Sequence, residues 1–249
     1  MANREQDCEH KRNMTHNTTI QLLSAGAIEP GLVAAVAYYN ARGTAPVHIT
    51  WATTPAIRGR LADGENEGDV FDIVLASVDA IDDFSRQQKV DGNKRVAAGR
   101  VGVGVFARND VAVPDVSSVD AIKQAVLSAE SVVFNRASSG LYVETLMKQL
   151  GLYERILAKT KRFDNGPAMM EHLINGKGRE IAFGAIIEIL MFRDQGLKLA
   201  APLPPEVQNW TYYAAAPMLA APNAAGAQSF LDYLASAPVK ALFAAHGIE

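Results

Sequence analysis

The sequence predicts an α/β fold. Short β-rich runs alternate with amphipathic helical runs from Ile20 to the last residues, the order expected of strands in mostly parallel sheets covered by helices. Apolar residues make up 49% of the 249 positions, enough to bury a large core and to exclude disorder of the whole chain. No low-complexity linker interrupts the alternation, so two lobes in a chain of this length would have to be joined by strands running between them.

Taken in order, the strands are expected at Ile20–Ser24, Val47–Trp51, Val70–Ala76, Val101–Phe106, Val132–Phe134, Glu180–Phe183, Leu197–Ala200 and Trp210–Ala214. Helices are expected at Gly31–Ala41, Ala56–Ala62, Val78–Gln87, Val119–Ser128, Leu141–Leu150 and Ala168–Asn175. A last helical stretch, Ala224–Ala245, is split by Pro238 and carries Phe230, Leu231, Leu234, Leu242 and Phe243 on one face. Boundary residues agree: Ser117 with Asp120 resembles a capping box, Gly43 follows the first helix and Gly247 the last. The run Lys94–Arg108, KRVAAGRVGVGVFAR, alternates valine with glycine or alanine. It reads either as a strand crossing between lobes or as an ordinary central strand. Leu197–Leu203 is the candidate return.

Charge and motifs narrow the function. A formal net charge of −3 without a lysine or arginine stripe argues against a nucleic-acid partner. No apolar run reaches the roughly 18–20 residues of a membrane span. One cysteine makes no internal disulfide. Residues 1–18 read as a disordered tail. Their Cys8, Glu9, His10 and His16 are metal-ligand types, but no second pair with zinc-like spacing follows, so no metal is expected. The tail has no apolar segment of an export signal, which places the chain in the cytoplasm if its start is natural. Gly176-Lys177-Gly178 is not a phosphate-binding loop, and Gly102-Val103-Gly104 lacks the later glycine of a dinucleotide site. Nucleophile-elbow and H-E-x-x-H motifs are absent. No cofactor is expected.

One local pattern recurs four times: Ser24–Pro30, Ala52-Thr53-Thr54-Pro55, Arg136–Gly140 and Asp164-Asn165-Gly166-Pro167. Each puts small, hydroxyl or proline residues where a strand-like or irregular stretch gives way to a helix. Helix N-termini leave N–H groups unpaired and favour anions. The four turns therefore read either as ordinary capped helices or as one convergent anion pocket.

The same segments carry a family resemblance. IQLLSAGAIEPGLVAAVAYYNARG, VHITWATTPAIRGRLADG, DVFDIVLASVDAIDDFSRQQKV, NRASSGLYVETLMKQLGL and AGAQSFLDYLASAPVKALFAAHGI resemble the periplasmic molybdate-binding proteins, type II solute-binding proteins of ABC transporters. The resemblance implies two α/β lobes with two mixed or parallel sheets and a ligand cleft between them. By analogy, 19–99 with 201–249 form lobe 1 and 100–200 form lobe 2. It further implies a small anionic ligand, ABC membrane subunits as partners, a monomer, a periplasmic location, and no catalysis.

By that analogy the ligand-binding residues are Ala25, Gly26, Ala27, Thr53, Thr54, Ser138, Ser139, Gly140, Ala185 and Ile186. Where the family commonly has a tyrosine after a lobe-2 strand, this chain reads Phe183-Gly184-Ala185-Ile186-Ile187, which argues against molybdate. Arg58 and Arg136 flank the second and third turns, and a guanidinium suits carboxylates. The expected ligand is therefore an organic di- or tricarboxylate in a positive cleft. The segments TTPAIR and NRASSGLYVE are also similar to aconitate isomerase-type relatives. For that alternative, an allylic proton shift needs a proton carrier, and the candidates are Tyr142, His172 and Glu188.

Overall fold

A computed structural model describes residues 19–42, 45–62 and 70–249. The expectations for the tail (Cys8, Glu9, His10 and His16 among them) and for Gly43 lie outside the described residues. Nine strands are described: β1 Ile20–Ala25, β2 Val47–Ala52, β3 Ile73–Ser77, β4 Val96–Arg108, β5 Ser131–Asn135, β6 Thr160–Phe163, β7 Glu180–Ala185, β8 Leu197–Pro202 and β9 Trp210–Pro217. The helices are α1 Glu29–Asn40, α2 Thr54–Ala62, α3 Val78–Arg86, α4 Val119–Ser128, α5 Ser138–Gln149, α6 Tyr153–Ile156, α7 Gly166–Asn175, α8 Ile186–Met191, α9 Ala224–Leu234 and α10 Ala237–Ala245.

The strands run in the order β2-β1-β3-β9-β4-β7-β5-β6, with β8 also on β4. β4 belongs to two half-sheets. Val96–Gly102 pairs antiparallel with β9, whereas Val103–Arg108 pairs antiparallel with β7 and β8. The outer strands of each half are parallel: β2-β1-β3 in the first and β6-β5-β7 in the second. The sheets are therefore mixed, and the run expected over Lys94–Arg108 passes from one half into the other.

The return differs from the expectation for Leu197–Leu203. β8 stays in the second half on β4, and residues 203–209 make the passage back to β9. Pro202, Pro204 and Pro205 have no N–H to extend the ladder. Gln208 secures this passage: its Oε1 accepts from the Val103 N–H at 2.8 Å, and its Nε2 donates to the Val103 carbonyl at 3.0 Å.

One core lies over the first half, where Leu22, Leu23, Ile73, Val74 and Phe230 are fully buried. The second half buries both faces. Val132, Phe134, Ile181 and Phe183 pack on one side with α4–α6, and Val133, Ala182 and Phe106 on the other with α7, as period-2 alternation requires. Burying a side chain of this size contributes about 1.5–3 kcal/mol.

Several helices start earlier than their periodicity suggests. α1, α2, α5 and α7 begin two or three residues before the expected apolar periods, because their first turns are made of small residues and proline. The cap of α4 is Ser118, whose Oγ accepts from the Ala121 N–H, rather than Ser117. Pro238 falls in the first turn of α10 and starts a new helix. Gly247, at φ +80°, follows α10 as expected. The polar edge strand β6 (TKRF) and the short helices α6 and α8 carry no periodic signal and were not anticipated.

Gly140 is where packing leaves no room. A Cβ there would lie 2.0 Å from the Asn135 carbonyl oxygen, because the first turn of α5 presses against the end of β5. A Cβ at Gly59, inside α2, meets nothing within 4 Å. Gly140→Ala is expected to lower the unfolding free energy by about 1–3 kcal/mol. Gly59→Ala should be neutral or raise it by up to about 1 kcal/mol. Urea denaturation of both variants measures the contrast.

Candidate functional site

Four turns at the carboxyl ends of strands face one another. After β1 the chain makes a short turn, Gly26–Ile28, and enters α1 with Pro30 in the first turn and no side-chain cap. After β2, the Thr53 Oγ1 accepts from the Ala56 N–H at 3.3 Å, so this hydroxyl caps α2. After β5, the fully buried Asn135 folds its Oδ1 onto the Ala137 N–H at 3.0 Å. That bond holds the entry to α5, whose N-terminus has no side-chain cap. After β6, the Asn165 Oδ1 accepts from the Ala168 N–H at 2.9 Å and caps α7.

All four turns line one cavity of about 310 Å³. Ala25, Gly26, Ala27, Thr53, Thr54, Ser138 and Ser139 are on its wall. The Ser138 and Ser139 hydroxyls make no hydrogen bond to any described residue, and the first N–H groups of α5 have no partner within the helix. These groups can donate to an anion.

The remaining expected residues fall elsewhere. Gly140 does not line the cavity but allows the close packing that places Ser138 and Ser139. Ala185 and Ile186 also lie off the wall; Ala185 ends β7 and Ile186 packs over Gly104, which aims the first turn of α8 at the cavity. Arg58 lines a neighbouring outer cleft of about 530 Å³, and its guanidinium is held by Asp79 at 2.7 Å and by Asp83. Arg136 is 56% exposed and pairs with Asp164 at 3.0 Å. The expectation of a cleft made positive by these two arginines is corrected: each is drawn outward by aspartates of its own surface. Among the described residues lining the cavity, no lysine, arginine or histidine occurs.

Of the three proton-carrier candidates, the structure brings only Glu188 to the cavity. The Tyr142 O–H donates to the Val207 carbonyl at 2.6 Å and ties α5 to the returning chain. His172 stacks on Phe163 and lies 3.2 Å from Glu180, at the end of β7 opposite Ala185. That strand puts it about 16 Å from the cavity end. With Ser131 and Lys161 it surrounds the buried Glu180 carboxylate.

Sequence reasoning did not anticipate Glu29, Trp51, Met191, Phe192 and Tyr213 on the wall. Tyr213 brings a phenol from β9, a strand far along the chain from the position where the family tyrosine was sought. Burial and the nearby Glu188 raise its pKa. Burial also raises Glu29. Glu188 is pushed up to about 7, chiefly by burial and secondarily by the charge of Glu29. Its Oε2 is closed off from solvent and has no hydrogen-bond partner among the described residues. The carboxyl lies flat on Gly166, where a Cβ would be 2.5 Å from Oε2. No group of three or more metal-ligating side chains occurs among the described residues.

The chain belongs to the bacterial extracellular solute-binding protein family, whose model matches residues 20–249. Its fold is similar to the periplasmic molybdate-binding protein of Azotobacter vinelandii, with a TM-score of 0.75, 12% identity, and 92% of this chain and 98% of that one covered. The sulfate-binding protein of Mycobacterium tuberculosis gives a TM-score of 0.71 at 16% identity, over 92% of this chain and 86% of that one. In sequence the chain is 27% identical over 226 residues to an aconitate isomerase from a Pseudomonas species, covering 88% of this chain and 83% of the relative. The two-lobed type II binding-protein arrangement expected from the sequence is thereby established. No helix among the described residues is long and apolar enough to cross a membrane.

The Glu188 environment makes a signed prediction for stability. Its carboxyl is neutral in the folded protein up to about pH 7, whereas the unfolded chain ionises near 4.5. Stability is therefore fully present below pH 4.5 and is lost as pH rises towards 7, by up to about 3 kcal/mol. Glu188→Gln removes this dependence. The variant should unfold at higher urea concentration than the parent at pH 8, and at a similar concentration at pH 4.5.

Proposed function

We propose that the protein is the anion receptor of an ABC-type uptake system, taking an organic di- or tricarboxylate at the helix N-termini between its lobes. The observation that carries this reading is the convergence of four strand-to-helix turns on one cavity, with the Ser138 and Ser139 hydroxyls unengaged by any described residue and the first-turn N–H groups of α5 without a side-chain cap. A cavity of about 310 Å³ is of the size that holds small organic ligands. Trp51, Met191 and Phe192 give it apolar wall that a bare tetrahedral oxyanion would leave unused. The lobes, 19–99 with 201–249 and 100–200, would close about β4 and the 203–209 passage, and the closed receptor would meet the transporter's membrane subunits as a monomer in the periplasm.

Thermal shift against citrate, cis- and trans-aconitate, molybdate, tungstate and sulfate tests the ligand class. The matching anion at 100 times its Kd should stabilise by about 2.7 kcal/mol. A shift with molybdate or sulfate alone overturns the carboxylate assignment. Ser138→Ala should weaken the bound anion by about 1.5–3 kcal/mol, one hydrogen bond from a hydroxyl to a charged acceptor. Arg136→Gln should leave affinity within about twofold, since Asp164 already holds that guanidinium.

A second reading, an aconitate-type isomerase, is favoured by Glu188 on the wall and by the Pseudomonas relative. One C–H bond would break as Glu188 takes the proton, the double bond would shift, and the proton would return at the other allylic carbon. Ultraviolet absorbance of trans-aconitate follows this directly. Turnover that disappears in Glu188→Gln supports the isomerase; tight binding without turnover leaves the receptor reading.

A further inference from the structure

We propose that the ligand is bound together with one proton, held on the Glu188 carboxyl, which donates a hydrogen bond to the bound anion. This rests on the anion-receptor reading of the cavity and adds the group that sets its pH range.

Three features of the cavity carry the inference. First, it is an anion site without a side-chain cation: among the described residues lining it, the charged types are Glu29 and Glu188 alone. Helix N-termini supply partial positive charge, roughly half a unit each and confined to the first turn. An ionised carboxylate beside the ligand would oppose it, and a carboxylic acid would not. Second, the Glu188 Oε2 has no hydrogen-bond partner among the described residues and no access to bulk solvent. An unpartnered carboxylate there would carry the full cost of lost hydration, whereas a protonated carboxyl needs one acceptor. Third, Glu188 is held in place: it projects from the first turn of α8 and its carboxyl lies against Gly166, which leaves no room for it to turn away on that side.

The groups facing Glu188 are few. Glu29 comes from α1 and Tyr213 from β9. The lining residues from β2, α2, α5 and α7 are Trp51, Ala52, Thr54, Ser138, Ser139, Gly166 and Pro167, none of them charged. Both titratable neighbours act in one direction. An ionised Glu29 holds the proton on Glu188, and a phenol raised by burial stays neutral as a donor. A bound anion adds to the same side and draws a proton in when the ligand-free carboxyl is partly ionised.

The test is calorimetric titration of trans-aconitate and, separately, of sulfate, which does not titrate near neutrality. Each is run at pH 6 and pH 8 in two buffers of different ionisation enthalpy. The expected result is uptake of up to one proton per anion above pH 7, and affinity lower at pH 8 than at pH 6 by about tenfold. Glu188→Gln, neutral at both pH values and still a donor, should bind with the same affinity at each and take up no proton. Proton release, or a parent affinity that is equal at both pH values, overturns the inference. If neither anion binds, the ligand class proposed above fails, and Glu188 is read in the ligand-free protein by infrared difference spectra against Glu188→Gln. A carboxyl that titrates near neutrality supports the proton-holding role, and titration wholly in the ordinary carboxylate range overturns it.

Discussion

β4 is the strand on which the arrangement depends. Its thirteen residues (Val96–Arg108) cannot pair with the same neighbours throughout, because β9 takes its first half while β7 and β8 take the second. Two half-sheets are thus built on one backbone and run in opposed directions: β1, β2 and β3 run parallel to β4, whereas β5, β6 and β7 run antiparallel to it. The strands that lead into α1 and α2 in one half, and into α5 and α7 in the other, then end towards a common space. Ligands of open α/β sheets lie beyond the carboxyl ends of strands. Here two such ends meet, and Gln208 holds the second passage between the halves to Val103.

The electrostatics of that space differ from those of the surface around it. Arg58, Arg136 and Arg162 are each engaged by acidic side chains, Asp79 and Asp83, Asp164, and Glu144 respectively, which keep the guanidinium charge outside. Inside, donors are backbone N–H groups and hydroxyls, and the titratable groups are acids whose neutral forms burial favours. Such a site does not attract anions by net charge. Under the proposed reading it recognises them through fixed dipoles that need no reorganisation, and discriminates by shape and by protonation rather than by a count of cations.

Most of the elements were legible along the chain because they carry local signals. Short runs rich in apolar and β-forming residues mark β1, β5 and β9, and the valine–glycine alternation marks β4. Proline in a first turn marks α1, α7 and α10. β6 was missed because an edge strand of Thr-Lys-Arg-Phe has no buried face to impose a period, and α8 because six residues span under two turns. The four turns were legible as helix starts, and through them Ala25–Ala27, Thr53, Thr54, Ser138 and Ser139. Arg58 and Arg136 were misread for a physical reason: where a long side chain points is set by its charged partners, and Asp79, Asp83 and Asp164 come from other elements.

By itself the sequence determined the α/β alternation and the small-residue turns that open helices, and its resemblance to a known family pointed to a two-lobed binding-protein class. The alternation and the turns depend on neighbours within a few residues, on backbone conformational preference and on the side-chain period. The tertiary structure alone decided which of those turns share a cavity. It also decided that Tyr213 faces Glu188, and that Glu188 rather than His172 or Tyr142 reaches the site. Desolvation and opposition across a cleft join residues far apart in the chain, and no local spacing encodes them.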